Sequence, residues 1–116
     1  MGSSFRDLIV WRRAIQASAA VYKLTAGFPG QEMYGLTNQL RRASVSVASN
    51  IAEGYGRASS GEYKHFPGIA RGSNSEVETQ LVLARELGFG DGIRLSEAAS
   101  LNSEVGKMLN AVMQSL

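Results

Sequence analysis

The chain has 116 residues and a mass of 12.4 kDa, which is enough for one domain with a hydrophobic core. It contains no cysteine, which excludes disulfides and thiolate metal sites and favours a reducing cytoplasm. No window approaches the roughly 18 apolar residues of a membrane-spanning helix, and the first ten residues lack the regions of a signal peptide. We therefore expect a soluble cytoplasmic protein without a membrane partner.

Charge is distributed unevenly along the chain. The formal net charge is +2, yet residues 1–72 carry nine Lys and Arg against four Asp and Glu, net +5, while residues 73–116 carry three against six, net −3. Nine of the twelve basic residues are arginines, whose planar guanidinium suits phosphate and carboxylate. One interpretation is that the basic half binds an anionic partner. The other is that the two halves neutralise each other within a bundle or between subunits.

The chain contains only two prolines and no alternating β-branched run, so helix and turn are expected throughout. The first helix is expected over about residues 7–26, where helical spacing relates Leu8, Trp11, Ile15, Ser18, Tyr22 and Thr25. The second is expected over about residues 34–54, followed by the glycine stop typical of a helix C-terminus. Its predicted core face consists of Leu36, Leu40, Ala43, Val47 and Ile51.

The second helix has another apolar face, formed by small residues. On a helical wheel, Val45, Ala48 and Ala52 lie opposite the core face, where a monomeric bundle would leave them in water. A helix that is apolar on two sides is usually buried on two sides, so these residues predict an oligomer interface. The alternative is that alanine and serine are simply good surface residues here.

Polar residues near the end of the second helix form a candidate network. Glu53 lies where the helix dipole disfavours a carboxylate, so it requires a cationic partner. We expect a structural network of Asn50, Glu53, Arg71 and Ser73 that holds two helices together. A polar ligand site is the alternative interpretation of the same residues.

The third helix is expected over about residues 59–87, with Ser59 and Glu62 as a capping box. Pro67 lies inside it and removes one backbone hydrogen bond, which predicts a kink or a delayed start. The fourth helix is expected over about residues 93–116. Four such helices with short loops predict an all-α, antiparallel up-down-up-down bundle, a single domain over residues 1–116.

Two local patterns were candidates for chemistry. Glu62 and His65 have the Glu-x-x-His spacing of di-iron bundles, but such a site needs two elements and the chain has one histidine. A metal site shared between subunits is the remaining metal hypothesis. Residues 56–61 have phosphate-loop spacing without the Lys and Ser or Thr of that motif, although backbone amides beside Arg57 and Lys64 could hold a phosphate. We expect no catalytic residues, no metal and no cofactor.

Basic side chains on three predicted helices and on the loop before the third are candidates for binding nucleic acid. No base-reading motif is evident, so such binding would depend on phosphate contacts and on salt. The candidates are Arg12, Arg13, Arg41, Arg42, Arg57, Lys64 and Arg71.

Four motifs resemble the bacterial four-helix bundle proteins encoded within intervening sequences of 23S rRNA genes. In order, they are Phe5-x-x-Leu8-x-Val10-Trp11-x-x-Ala14, Phe28-Pro29-x-x-Glu32-x-Tyr34-Gly35-Leu36-x-x-Gln39-x-Arg41-Arg42-Ala43, Ser49-Asn50-Ile51-Ala52-Glu53-Gly54 and Ile69-Ala70-Arg71-Gly72-Ser73-x-x-Glu76. The resemblance implies an up-down bundle that assembles into a closed ring, typically a pentamer. It also implies kinship with basic ring proteins of diversity-generating retroelements, which engage nucleic acid and a reverse transcriptase. Pro67 and Gly68 depart from the family's uninterrupted third helix.

Three hypotheses follow from the residues and the resemblance together. The first is a non-enzymatic homo-oligomer, expected to be a pentamer, that binds RNA or DNA through phosphate contacts and serves as an adaptor. The second is a structural or protein-interaction module whose polar residues only stabilise the oligomer. The third is an enzyme or metal protein using Glu62 and His65.

Overall fold

The computed structural model describes residues 4–56 and 60–115, without the side chains of residues 60–64. Within these ranges the regular structure is helical: α1 is Ile9–Thr25, α2 is Leu36–Tyr55, α3 is Ser60–Leu87 and α4 is Gly92–Gln114. Short 3-10 turns, Phe5–Asp7 and Gly30–Glu32, precede α1 and α2. The bounds differ from the predicted ones by one or two residues at most ends, as expected for helix termini.

The four helices form a bundle in which each helix packs against two others. The packed pairs are α1 with α2, α2 with α3, α3 with α4, and α4 with α1. The molecule is elongated along this bundle, with extents of 44 × 24 × 22 Å. The predicted all-α four-helix bundle is therefore confirmed. In the described part of the chain, no helix has both the length and the apolar character that a transmembrane span requires.

The core consists of two clusters stacked along the bundle. One is centred on Leu24, Leu40 and Leu81, and the other on Val47, Ile51 and Leu109, with further small residues between them. The predicted core face of α2 is buried in full, from Leu36 to Ile51. Each fully buried leucine contributes about 1.5–3 kcal/mol relative to an exposed one, so the core face of α2 alone is a major source of stability.

The residues that share the helical spacing of α1 are divided between the core and the outer surface. Ile15 and Tyr22 are 43% and 44% exposed, whereas Ala14, Val21 and Leu24 lie in the core. The buried Ser18 and Ser44 hydroxyls, 3.0 Å apart, share a hydrogen bond where α1 meets α2. Ile15 and Tyr22 lie on the outer surface of this helix pair.

Side-chain carboxylates accept hydrogen bonds from backbone amides at the start of two helices. The Glu32 carboxylate accepts a hydrogen bond from the backbone amide of Leu36, 3.0 Å away, at the positive end of the α2 dipole. Asp91 caps α4 by accepting from the amide of Arg94 at 2.9 Å. The predicted capping box of Ser59 and Glu62 lies outside the described residues.

Pro67 lies in the interior of α3 rather than at a delayed start, because the helix already begins at Ser60. The buried Pro67 packs against the end of α2 at Gly54. A Cβ atom at Gly54 would come 3.0 Å from Cβ of Phe66 and 3.2 Å from Cδ of Pro67. Gly54 therefore permits the close approach of α2 to the proline-containing part of α3.

Candidate nucleic-acid interface

The two predicted cations of α1 have different environments. Arg12 is exposed, whereas Arg13 is half-buried and joins α1 to α4. Its Nε donates a hydrogen bond to Oε2 of Glu104 at 2.8 Å, and its Nη1 donates to Oε1 of Gln16 at 3.0 Å. Both partners of the ion pair remain about two-fifths exposed, so the pair contributes roughly 0–1 kcal/mol. Arg13 would have to exchange these contacts to bind a phosphate.

The two adjacent arginines of α2 also differ, because Arg41 contacts α1 and Arg42 is exposed. Arg41 donates from Nε to Oγ1 of the buried Thr25 at 2.8 Å, and its guanidinium carbon lies 4.6 Å from the centre of the Tyr22 ring. Such a cation–π contact contributes about 0.5–1 kcal/mol at an exposed site. Arg41 thereby fastens α2 to α1. Arg42, the next residue, is exposed.

The remaining predicted cations belong to α3 and the segment before it. Arg71 is exposed and lines a groove between α3 and α4, which also contains Lys107, a residue that the sequence interpretation did not select. Arg57 and the side chain of Lys64 lie outside the described residues. The described candidates are thus spread over three helices, and no single cluster contains them.

Two residues of the predicted polar network, Asn50 and Ser73, are linked through Ser46. Nδ2 of Asn50 donates to the carbonyl oxygen of Ser46 at 2.9 Å and to its Oγ at 3.1 Å. That Oγ lies 2.9 Å from Oγ of Ser73, so hydroxyls join α2 to α3. Arg71 is two residues before Ser73 and lies on the α4 side of α3, which places it away from this group. Glu53 is exposed beside a shallow depression on α2.

The predicted second face of α2 is smaller than expected. Val45 is 43% exposed and Ala52 is partly exposed, but Ala48 is only 5% exposed and packs in the core of its own chain. The expectation that a monomer leaves Ala48 in water is wrong, because α1 lies against this side of α2.

The outer surface of the α1–α2 pair nevertheless carries three exposed apolar side chains and one partly exposed alanine, which together we call the α1–α2 surface: Ile15, Tyr22, Val45 and Ala52. Ile15 and Tyr22 are seven residues apart and share one face of α1. Arg41 covers the Tyr22 ring, and Val45 follows Arg41 by one helical turn, so residues of both helices meet on this surface. The helical spacing in the sequence places Ile15 and Tyr22 on one face of α1, but the spacing does not show that this face is exposed.

The described residues contain no group of three or more His, Asp or Glu side chains that could hold a metal ion. His65 is exposed and meets the edge of the Phe66 ring, with the ring centres 4.9 Å apart. An apolar cavity of about 90 Å³ is lined by residues such as Leu8, Ile51 and Leu109. The Glu62 side chain and the loop of residues 57–59 lie outside the described residues.

These features define a helical-bundle protein with exposed arginines and a partly exposed apolar surface. The chain belongs to the 23S rRNA-intervening sequence protein family, whose model matches residues 6–111. A crystal structure of a protein with unknown function from the S23 ribosomal protein family of Bacteroides thetaiotaomicron is similar, with a TM-score of 0.80 and 18% identity. The similarity covers 90% of this chain and 98% of that one, and it shows the shared fold. No curated protein matches the chain.

Proposed function

We propose that this chain is a non-enzymatic, cytoplasmic homo-oligomer that binds RNA or DNA through phosphate contacts and serves as an adaptor for a nucleic-acid enzyme. Its four helices alternate in direction, and it forms a closed ring, expected to be a pentamer. Hydrogen-bonded pairs between neighbouring helices support the alternating directions. As the residue number rises along one helix, the number of its partner on the next helix falls. Examples are Ser18 with Ser44 and Thr25 with Arg41, then Gln39 with Gln80 and Ser46 with Ser73.

The α1–α2 surface is the observation that carries the proposal. The side chains of Ile15, Tyr22 and Val45 are each more than two-fifths exposed. A second subunit packed on this surface would remove their apolar area from water. Arg12 and Arg42 precede Ile15 and Val45 by three residues, so each lies beside an exposed apolar residue on the helix surface. Interfaces commonly combine an apolar centre with a polar rim, and a ring would repeat these rim arginines in every subunit. Repetition raises the avidity of a weak phosphate-binding site.

Molecular mass by light scattering tests the assembly. A pentamer would have a mass of about 62 kDa, five times 12.4 kDa. Val45→Glu should shift the mass towards 12.4 kDa because it would bury a carboxylate at the interface. Ile93→Glu is the matched control, since Ile93 is 80% exposed at the start of α4, away from the α1–α2 surface. A monomeric wild-type chain, or equal effects of the two variants, would contradict the proposed interface.

Nucleic-acid binding is tested on the same sample with a structured RNA at about 50 and 200 mM salt, where phosphate-dependent binding should weaken steeply. We expect RNA to raise the mass at the lower salt concentration. Arg42→Glu should reduce this binding, whereas Arg13→Glu, which also breaks the Glu104 ion pair, should be accompanied by a lower thermal stability. If the mass of the ring is unchanged by RNA at both salt concentrations, the binding part of the proposal is refuted and the proposed assembly stands.

A second candidate function is a structural or protein-interaction module. The observation in its favour is that Arg13 and Arg41, two of the predicted phosphate ligands, make contacts within their own chain. On this view the arginines stabilise the bundle, and the α1–α2 surface binds only protein. A stable ring whose mass is unchanged by RNA, and unchanged by Arg42→Glu, is the expected result for this candidate.

A further inference from the structure

An open groove of about 360 Å³ lies between α3 and α4, on a different side of the bundle from the α1–α2 surface. Its walls are polar: Arg71 and Ser75 come from α3, and Ser103, Lys107 and Asn110 come from α4. Guanidinium, ammonium, hydroxyl and amide groups are all hydrogen-bond donors. The groove therefore has the chemistry of an anion-binding site.

The floor of this groove is a buried pair of asparagines. Nδ2 of Asn74 donates to both the carbonyl oxygen and Oδ1 of Asn102 at 2.9 Å, and Nδ2 of Asn102 donates to the carbonyl oxygen of Asn74 at 3.1 Å. A Cβ atom at Gly106 would lie 2.6 Å from Oδ1 of Asn74, so a glycine is required for this close approach of α4. These contacts hold the two walls at a defined separation.

Two cations face this groove from opposite helices. Arg71 and Lys107 are exposed, and among the described residues neither side chain takes part in a hydrogen bond or an ion pair. They differ in this respect from Arg13 and Arg41. The groove also contains Glu78, but this residue is two helical turns from Arg71, roughly 10 Å along α3. The end of the groove nearest Arg71 and Lys107 is therefore positively charged.

The groove continues into a less polar section beyond Glu78. This section has a volume of about 170 Å³, shares Glu78 and Ser103 with the first section, and ends at Arg85. Its apolar walls are Leu81, Val82, Leu95 and Ala99. A cationic section next to an apolar one matches a single nucleic-acid strand, which presents charged phosphates and the apolar faces of unstacked bases together. A duplex buries those base faces within its own stack.

We infer that the α3–α4 groove binds a single-stranded segment of RNA or DNA, with Arg71 and Lys107 contacting phosphates and the apolar section contacting a base. This inference rests on the proposed function, since it specifies where a nucleic acid would bind and in which form. It adds Lys107 to the phosphate ligands, and it places this single-strand site on a different side of the subunit from the rim arginines Arg12 and Arg42 of the α1–α2 surface.

Fluorescence anisotropy with a labelled single-stranded RNA of mixed sequence tests the inference. The groove variant is Arg71→Gln combined with Lys107→Gln. The matched control is Arg94→Gln combined with Lys23→Gln, which also removes one arginine and one lysine, both exposed beside a different depression. All measurements are repeated over about 50 to 200 mM salt, because each phosphate contact adds roughly 0.7 to the slope of log affinity against log salt for a single strand.

The groove variant should lower this slope by about 1.4, which corresponds to roughly 25-fold weaker binding at about 0.1 M salt. The control should bind within about twofold of the wild-type chain, and both variants should keep the wild-type circular dichroism. If wild-type protein binds the strand but both variants bind equally well, the groove assignment is wrong and the proposed function stands. Tighter wild-type binding to the matching duplex would overturn the single-strand assignment. If wild-type protein binds neither, nucleic-acid binding itself is refuted.

Discussion

Substituting alanine for Gly90 should destabilise the bundle for two separable reasons. Gly90 has a φ of +83°, a conformation that disfavours any side chain. A Cβ atom there would also lie 2.7 Å from Cδ1 of Leu24 and 2.9 Å from Cε1 of Phe28. Both of these residues belong to the buried core cluster, so neither can move away without repacking. Gly88, with a φ of +71° and open space around it, shares only the first reason.

The two contributions can be estimated from the geometry. A left-handed alanine costs about 1–2 kcal/mol, and this applies to Gly90→Ala and Gly88→Ala alike. The new contacts at Gly90 are roughly 1 Å shorter than the ~3.5–4.0 Å optimum for two carbons, and such overpacking costs about 1–3 kcal/mol. The expected loss in the free energy of unfolding is therefore about 2–5 kcal/mol for Gly90→Ala and about 1–2 kcal/mol for Gly88→Ala.

Thermal unfolding followed by circular dichroism measures this difference. Each kcal/mol lowers the Tm of a domain of this size by about 4 °C, so Gly90→Ala should melt roughly 4–12 °C below Gly88→Ala. All chains are compared at one protein concentration, because assembly would make the Tm concentration-dependent. Equal Tm values for the two variants would show that the packing of Gly90 against Leu24 and Phe28 contributes nothing, and would refute the reasoning.

Two further predictions concern helix packing and capping. Gly72→Ala, in open space within α3, should raise the free energy of unfolding by about 0.5–1 kcal/mol through its higher helix propensity, whereas in Gly106→Ala this gain is outweighed by overpacking of about 1–3 kcal/mol against Asn74, for a net loss of up to about 2.5 kcal/mol. Urea titration of both variants checks these opposite signs. Glu32→Ala removes the acceptor for the Leu36 amide and should lower the stability by about 0.5–2 kcal/mol, whereas a Glu32→Gln variant, which keeps an oxygen acceptor, should lose less in the same titration.

Local periodicity was sufficient to predict the four helices and the core face of α2. The spacing from Leu36 to Ile51 reflects the 3.6-residue period, which depends only on the helix that contains it. The glycines after α2 and α3 likewise marked helix ends through their own backbone preferences. These features are local, so a single sequence contains the information needed to find them.

Contacts between distant residues could not be predicted in the same way. Arg41 meets Tyr22 and Arg13 meets Glu104 because helices adjacent in the bundle bring them together, and the spacing within one helix does not encode such pairs. The burial of Ala48 follows from the orientation of α1 in the same manner. The sequence did contain one indication of the close contact between α3 and α4, namely Gly106. An isolated glycine inside a strongly helical segment often marks a close approach of two helices.

The buried asparagine pair also constrains how the bundle can misfold. If α4 slid along α3 by one helical turn, about 5.4 Å, the apolar residues could still find apolar partners, but Asn74 and Asn102 would separate. Each amide left buried without a partner would cost about 1–3 kcal/mol, so the slipped arrangement would lie roughly 2–6 kcal/mol higher in free energy. Leucine at both positions would remove this difference between competing packings. The pair therefore contributes to the energy gap that makes one helix arrangement unique, whatever it adds to overall stability.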